Sequence, residues 1–271
     1  MDNTAKVFDR LSDDYDDVFS YSEIGKRQRR RVWAHLDAVL KEEGRPLRVL
    51  ELNCGTGLDG QWLADKGCEV VSTDISPLML QKAKAKTDNH KNRKFCQLDF
   101  KNIKELSDES GFDLILSNFG GLNCIDESEL FALLEDCQSM LTDSGRLVLV
   151  VMPRFCLWES YYYLSKMNPR QAFRRLRREG VDFTVDGIAT KIYYHSPRKM
   201  QNLARGWFDC KKVITVGAFL PPSYLEKSFR SRVSLLDKLL SMEEIFGQLR
   251  FMGGLSDHYL IELQKNNSGK A

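Results

Sequence analysis

Leu47-Arg-Val-Leu-Glu-Leu-Asn-Cys-Gly-Thr-Gly57 is the stretch that decides the fold. Arg48–Leu52 reads as a buried strand running into a glycine-rich turn. Glu69-Val-Val-Ser-Thr-Asp74 reads as the next parallel strand, ending in a carboxylate about twenty residues on, the spacing of a nucleotide-binding βαβ unit. Glycines let the backbone approach a ligand closely, and the following helix points its free N–H groups at it. A carboxylate after the second strand can take both hydroxyls of a ribose.

Two cofactors compete for such a site. Gly55-Thr-Gly57-Leu-Asp-Gly60 fits the dinucleotide pattern, and Asp74 would suit the ribose of NAD. Glu51 and Asp59 favour S-adenosylmethionine instead. Glu51, at the strand end, can help hold the ammonium of a methionine moiety, directly or through water. Asp59 falls in the first helical turn, where a pyrophosphate would have to dock beside a carboxylate. S-adenosylmethionine carries no phosphate and avoids that conflict.

A chain of 271 residues, 42% apolar and 29% charged, fits one large soluble domain or one domain with an insertion. A net charge of +2 provides no bulk basic field, so no nucleic-acid partner is expected. The apolar run Leu147–Met152 is too short to span a bilayer, and no secretory h-region opens the chain, so no membrane partner is expected either. Seven scattered cysteines without a C-x-x-C suit a reducing cytoplasm, with no disulfide frame and no zinc knuckle. The Asn266-Asn-Ser268 sequon then carries little weight, and 265–271 reads as a frayed tail.

Residues 4–40 show helical periodicity (Phe8, Leu11, Tyr15 and Phe19, then Val32, Trp33, Leu36 and Leu40). The basic run 25–31 reads as a solvated helix face, with a phosphate or carboxylate contact as the alternative. Strands are expected at 48–52, 69–73, 94–98, 112–116 and 147–152. Helices are expected at 59–66, from Ser76-Pro77 toward Lys86, and from the Asp126-x-x-Glu129 capping box to Leu141. Strands alternating with helices indicate a doubly wound parallel sheet. After Pro153 the rhythm breaks: 154–178 reads as helical, Asp186-Gly187 as a hairpin turn, 196–207 and 223–247 as helices, and 212–219 and 258–263 as strands. Residues 153–195 therefore look like an insertion over the sheet.

These residues resemble a class I S-adenosylmethionine-dependent methyltransferase of the small-molecule type, strongly over 47–152 and elsewhere in element order. The resemblance implies one α/β domain over 1–271. Its doubly wound, Rossmann-like sheet would have seven mostly parallel strands, with His258–Leu263 as the antiparallel last strand. It also implies an N-terminal helical cap over 1–40 and a substrate lid over 153–195. Carried over by position, the cofactor-binding residues would be Glu51, Asn53, Cys54, Gly55 and Gly57 in the loop and Asp74 on the ribose. Ile75 and Met79 would lie on the adenine face, and Asp99 and Phe100 at the adenine edge. Asn118 and Phe119 would border the methionine end, and Tyr15 the cap. Asn53 stands where the family usually has its first glycine, and asparagine tolerates left-handed backbone.

The acceptor is less legible. Ser117-Asn-Phe-Gly-Gly121 lacks the two prolines and the aromatic of DNA adenine methyltransferases. The insertion's aromatics and arginines suggest an organic acceptor, with an anionic group as one option. The basic segment 170–178 reads as a solvated face; a phosphopantetheine carrier protein or a substrate carboxylate is the alternative. No catalytic residue is fixed; His258 is the first candidate for a general base and His195 the second. Two rivals remain: an NAD(P)-dependent reductase using Tyr162-x-x-x-Lys166, and a non-catalytic cofactor-binding protein of the same fold.

Overall fold

The computed structural model describes residues 3–87 and 91–266; the end of the sequon and most of the expected tail, 267–271, lie outside them. Nine strands are described: β1 (Arg48–Leu52), β2 (Glu69–Asp74), β3 (Arg93–Gln97), β4 (Phe112–Ser117), β5 (Leu141–Val151), β6 (Val181–Val185), β7 (Ile188–Ile192), β8 (Phe208–Val216) and β9 (His258–Lys265). Seven form one sheet in the order β3-β2-β1-β4-β5-β9-β8, and β6 and β7 form a separate hairpin. The pairs among β1 to β5 are parallel, and β9 runs antiparallel to both β5 and β8. The doubly wound sheet with an antiparallel last strand is the fold that the resemblance implies.

Helices cover both faces of the sheet. They are α1 (Asn3–Leu11), α2 (Glu23–Glu43), α3 (Leu58–Asp65), α4 (Pro77–Ala85), α5 (Glu127–Met140), α6 (Leu157–Ser165), α7 (Pro169–Ala172), α8 (Pro197–Ala204), α9 (Glu226–Phe229) and α10 (Val233–Phe246). One core packs Ile115, Leu149 and Tyr259 with Leu130 and Leu134 of α5 and Met200 of α8. The other packs Leu114, Val148 and Leu260 with Val32 and Leu36 of α2 and Leu63 of α3. Burial on both faces is what makes Leu114–Leu116 of β4 and Leu147–Val151 of β5 continuous apolar runs. Among the described residues no helix is long and apolar enough to cross a membrane, and none of the seven cysteines is in a disulfide.

The capping signals hold. The Ser76 hydroxyl accepts from Met79 N, and Asp126 and Glu129 form a full capping box. Asp186 and Gly187 take φ of 48° and 79°, as a tight hairpin turn requires.

Several boundaries differ from the sequence reading. The expected continuous helix over 4–40 is broken: α1 ends at Leu11, a π-helical turn spans Asp16–Ser20, and Ser22 caps α2 by accepting from Gly25 N at 2.9 Å. A Cβ at Gly25 would collide with the Phe19 carbonyl, so only glycine lets α2 start against that turn. Residues 154–178 form α6, α7 and a 3₁₀ turn at Arg174–Leu176 rather than one helix.

Candidate functional site

The parallel strands end on one edge, where the order reverses between β1 and β4, and in open α/β sheets that switch point is where ligands bind. A cavity lies there, walled by the ends of β1, β2 and β4 and roofed by α1 and the turn that follows it. Of the residues expected to bind a cofactor, Tyr15, Asn53, Cys54, Gly55, Asp74, Ile75, Met79, Asp99, Phe100, Asn118 and Phe119 line it. Glu51 and Gly57 do not line it.

Each wall residue is held by its backbone or by a neighbour. Asp74 accepts from Gly55 N at 2.8 Å and from Ser76 N at 2.9 Å, which ties the end of β2 to the glycine loop. Burial pushes its carboxyl up to about 6, against those two N–H donors. Asn53 takes φ of 43°, the left-handed backbone expected of it. Its amide donates to Asn118 O at 2.8 Å and accepts from the Ser117 hydroxyl at 2.6 Å, which pins the exit of β1 to the exit of β4. Asp99 both lines the cavity and caps the 3₁₀ segment behind it, accepting from Lys101 N at 3.0 Å.

Glu51 is placed differently from the sequence expectation. It is 2% exposed and sits behind the loop, accepting from Gly60 N at 2.8 Å and the Ser72 hydroxyl at 2.6 Å, with Arg93 at 3.5 Å. Burial raises it to about 7, against the pull of Arg93. A Cβ on Gly60 would meet Glu51, Arg93 at 2.6 Å and Ser72 at 2.7 Å. The third glycine of the motif therefore makes room for this buried cluster. Glu51 braces the glycine loop from behind rather than facing the cavity.

The expectation that 25–31 is a solvated face is overturned. Gly25, Gln28, Arg29 and Arg31 are buried. Arg29 lines the cavity, pairs with Asp59, and lies over the Phe119 ring at 5.0 Å. Asp59 also accepts from Trp33 Nε1 at 2.7 Å and from the Asn118 amide at 2.9 Å. The result is one cation and one anion side by side on the cavity wall. The sequence reading missed Arg29 as a wall residue because nothing in a run of arginines marks which one turns inward. It also missed Thr4 and Phe8, with which α1 covers the cavity.

The cap is latched at three places. The Ser76 hydroxyl donates to Asp9 at 2.5 Å, and the Thr56 hydroxyl donates to Asp16 at 2.6 Å, with Lys86 paired to the same carboxylate. The Thr4 and Thr190 hydroxyls meet at 2.8 Å, so α1 also rests on the hairpin. Burial pushes the Tyr15 hydroxyl up to about 12, so it stays protonated.

The two histidines part company. His195 is 2% exposed, burial lowers its pKa, and its Nε2 lies 3.0 Å from the Ile125 carbonyl, so that nitrogen carries the proton. It straps the insertion to the loop after β4. His258 stands at the start of β9, with its ring edge-on to Phe119 at 5.6 Å and Nδ1 3.2 Å from Asp257. That contact is close enough for a charge pair but not aligned as a hydrogen bond. His258 and Arg175 hold the Asp257 carboxyl well below the usual range despite its burial. Arg175 also pairs with Glu159 of α6 at 2.9 Å, and Arg174 with Glu159 at 2.8 Å. Arg174 and Arg175 thus pair inward with Glu159, while Arg170, Arg177 and Arg178 of the basic segment 170–178 are exposed. Tyr162 and Lys166 do meet, at 2.6 Å, but on the exposed side of α6 and not in the cavity wall.

Comparison with known proteins agrees with this geometry. The family described as "Methyltransferase domain" matches residues 49–145. The magnesium-protoporphyrin O-methyltransferase of Rhodobacter capsulatus is 25% identical over 210 residues, 71% of this chain and 89% of that protein. The 18S rRNA (guanine-N(7))-methyltransferase of Bos taurus is 46% identical over only 48 residues, 18% of this chain and 17% of that protein. The chain spans less than two thirds of the length of the first curated relatives it matches. Among solved structures, the magnesium protoporphyrin IX methyltransferase of Synechocystis PCC 6803 with bound S-adenosylhomocysteine has the same fold. Its TM-score is 0.56 at 17% identity, covering 90% of this chain and 86% of that one. Residues 49–145 thus match a methyltransferase domain, and the chain resembles S-adenosylmethionine-dependent methyltransferases in that segment and in its sheet.

Proposed function

We propose that this chain transfers a methyl group from S-adenosylmethionine to an oxygen or nitrogen of a small organic acceptor, as a cytoplasmic enzyme. The observation that carries the acceptor side is the Phe119–His258 contact, which puts an imidazole beside Asp257 against a ring that lines the cavity. When bound, the cofactor supplies a methyl already activated on a sulfonium sulfur. The protein's own work is then alignment, exclusion of water and, for a hydroxyl acceptor, removal of a proton.

The residues present suit that cofactor. Asp74 offers two oxygens to the ribose hydroxyls, and Asp99, with the Phe100 N–H, faces the adenine edge. Ile75 and Met79 pack the ring. Arg29 and Asp59 form a charge pair complementary to an amino-acid zwitterion, Arg29 toward its carboxylate and Asp59 toward its ammonium. Free space beneath α1 is about 70 Å³.

On the acceptor side, Asp257 lies 3.2 Å from Nδ1 of His258, and Nε2 makes no hydrogen bond among the described residues, which leaves it available to take a proton. His195 is less suited, because its Nε2–H is spent on Ile125. Residues 153–195 serve as the acceptor lid, with Glu159 and Arg175 setting its floor.

The test is a labelled-methyl assay on the purified full chain, offered pools of small hydroxy-, amino- and carboxy-compounds beside bulk RNA and protein. Label in the small-molecule fraction is expected. Label confined to RNA or protein would refute the small-acceptor reading, and the absence of S-adenosylhomocysteine binding would refute the cofactor reading.

A further inference from the structure

Beside the cavity, and separated from it by one thickness of chain, lies a larger open cleft of about 680 Å³. The dividing wall is the loop after β4. Ile125 faces the cavity, its carbonyl holds His195, and the next residue, Asp126, faces the cleft. Asn123 locks this wall, donating to Met152 O at 3.1 Å and Tyr193 O at 2.6 Å.

The cleft is cationic for a specific reason. Arg154 enters it from the turn after β5, Arg177 and Arg178 from the insertion, and Arg198 and Lys199 from α8. Two carboxylates face these five cations, and both are occupied: Asp126 caps α5, and Glu127 pairs with Lys199 at 2.7 Å. Arg177, Arg178 and Arg198 have no carboxylate partner among the described residues. Arg198 and Lys199 also occupy the first turn of α8, which has no acidic residue and whose dipole disfavours cations. Three chain segments thus direct guanidinium groups into one concavity, and one of them does so against its own helix field.

We propose that this cleft binds the oxyanionic group of the methyl acceptor, a phosphate or a pair of carboxylates. The volume is that of a small-molecule site, which favours a free metabolite over a docked protein. Guanidinium forks match planar and tetrahedral oxyanions with paired N–H donors. An acceptor anchored there lies one residue, Ile125, away from the cavity. The inference rests on the methyl-transfer reading of the neighbouring cavity, but its test does not depend on turnover.

The full chain and an R177Q/R178Q/R198Q variant are titrated calorimetrically with pyrophosphate, with citrate and, separately, with S-adenosylhomocysteine. The expected result is pyrophosphate or citrate binding that weakens at least about tenfold in the variant, with S-adenosylhomocysteine affinity unchanged. The tighter probe identifies phosphate or carboxylate as the preferred group. Equal probe binding by the two proteins, or none by the native chain, overturns the cleft assignment. Loss of S-adenosylhomocysteine binding by the native chain would strike the cofactor reading and leave the cleft result standing. In the labelled-methyl screen, incorporation into neutral acceptors alone, or equal incorporation by both proteins into anionic ones, also overturns it.

Discussion

Asp74 permits a prediction in which the sign and the size both come from the structure. Burial lifts its carboxyl from 3.8 to about 6. Ribose hydroxyls donate to the ionised form, so bound ligand keeps the group charged. Below pH 6 the free protein must lose a proton before it binds, and affinity falls as pH falls. Between pH 7.5 and pH 5 the loss is on the order of tenfold for one such group. Asp74→Asn removes this titration, so its affinity should be nearly flat over the same range. At pH 7.5 the variant loses a charge-assisted interaction worth about 1.5–3 kcal/mol, roughly a ten- to hundredfold rise in Kd. The fold should survive, because the asparagine oxygen still accepts from one of Gly55 N and Ser76 N. The assay is calorimetric titration with S-adenosylhomocysteine across pH, beside thermal melts. A pH-flat native protein, or a variant whose slope parallels the native one, would refute the ribose assignment.

Three further outcomes are expected. Glu51, raised to about 7 from 4.5, contributes stability that is complete below pH 4.5 and lost as pH rises through 7; Glu51→Gln should remove that part of the pH–Tm curve and leave S-adenosylhomocysteine affinity within about twofold. Gly60→Ala forces a methyl into the Glu51–Arg93–Ser72 cluster and should cost about 1–3 kcal/mol, a melting-temperature loss of several degrees. His258→Gln should lower turnover of a hydroxyl acceptor by about a hundredfold while cofactor affinity holds; undiminished turnover would return His258 to a packing role against Phe119.

What the sequence disclosed, and what it hid, follows from which forces are local. β1, β2, β4 and β5 were legible because each is built on a short buried apolar run, Val49-Leu50, Val70-Val71, Leu114–Leu116 and Leu147–Val151, bounded by turn residues. Ser76-Pro77 and Asp126-x-x-Glu129 were legible because a cap is satisfied within four residues of itself. β5 was read from Leu147, whereas it starts at Leu141, because Thr142-Asp143-Ser144 is polar and only pairing carries it. The break between α1 and α2 was invisible because Phe8, Leu11, Tyr15 and Phe19 keep helical spacing across it. Glu51 was given a cavity-facing role, although Ser72, its register partner across β1 and β2, and Gly60, with no side chain to fill the space, both point to a carboxylate turned behind the loop. Arg29 and Asp59 stand thirty positions apart, and no local pattern announces that pairing.

The same distinction governs the insertion. A segment serving only the acceptor could be removed with cofactor affinity intact, and the sequence pattern of 153–195 suggests that division of labour. The contacts argue for a shared one. Thr190 on the hairpin meets Thr4 on α1, and α1 in turn covers the cavity with Phe8 and is tied to the start of α4 through Asp9 and Ser76. Tyr193 N, just past β7, donates to Asn123 O on the opposite wall at 2.6 Å. Removal of residues 181–194 therefore frees the roof of the cofactor cavity and unpins the wall beside the acceptor in one step. Cofactor affinity and turnover should fall together, whereas Thr190→Val, which removes one hydroxyl contact worth about 1 kcal/mol, should weaken S-adenosylhomocysteine by no more than about fivefold. A deletion that spares affinity entirely would mean that α1 holds its place through Asp9 and Asp16 alone and that the hairpin belongs to the acceptor side only.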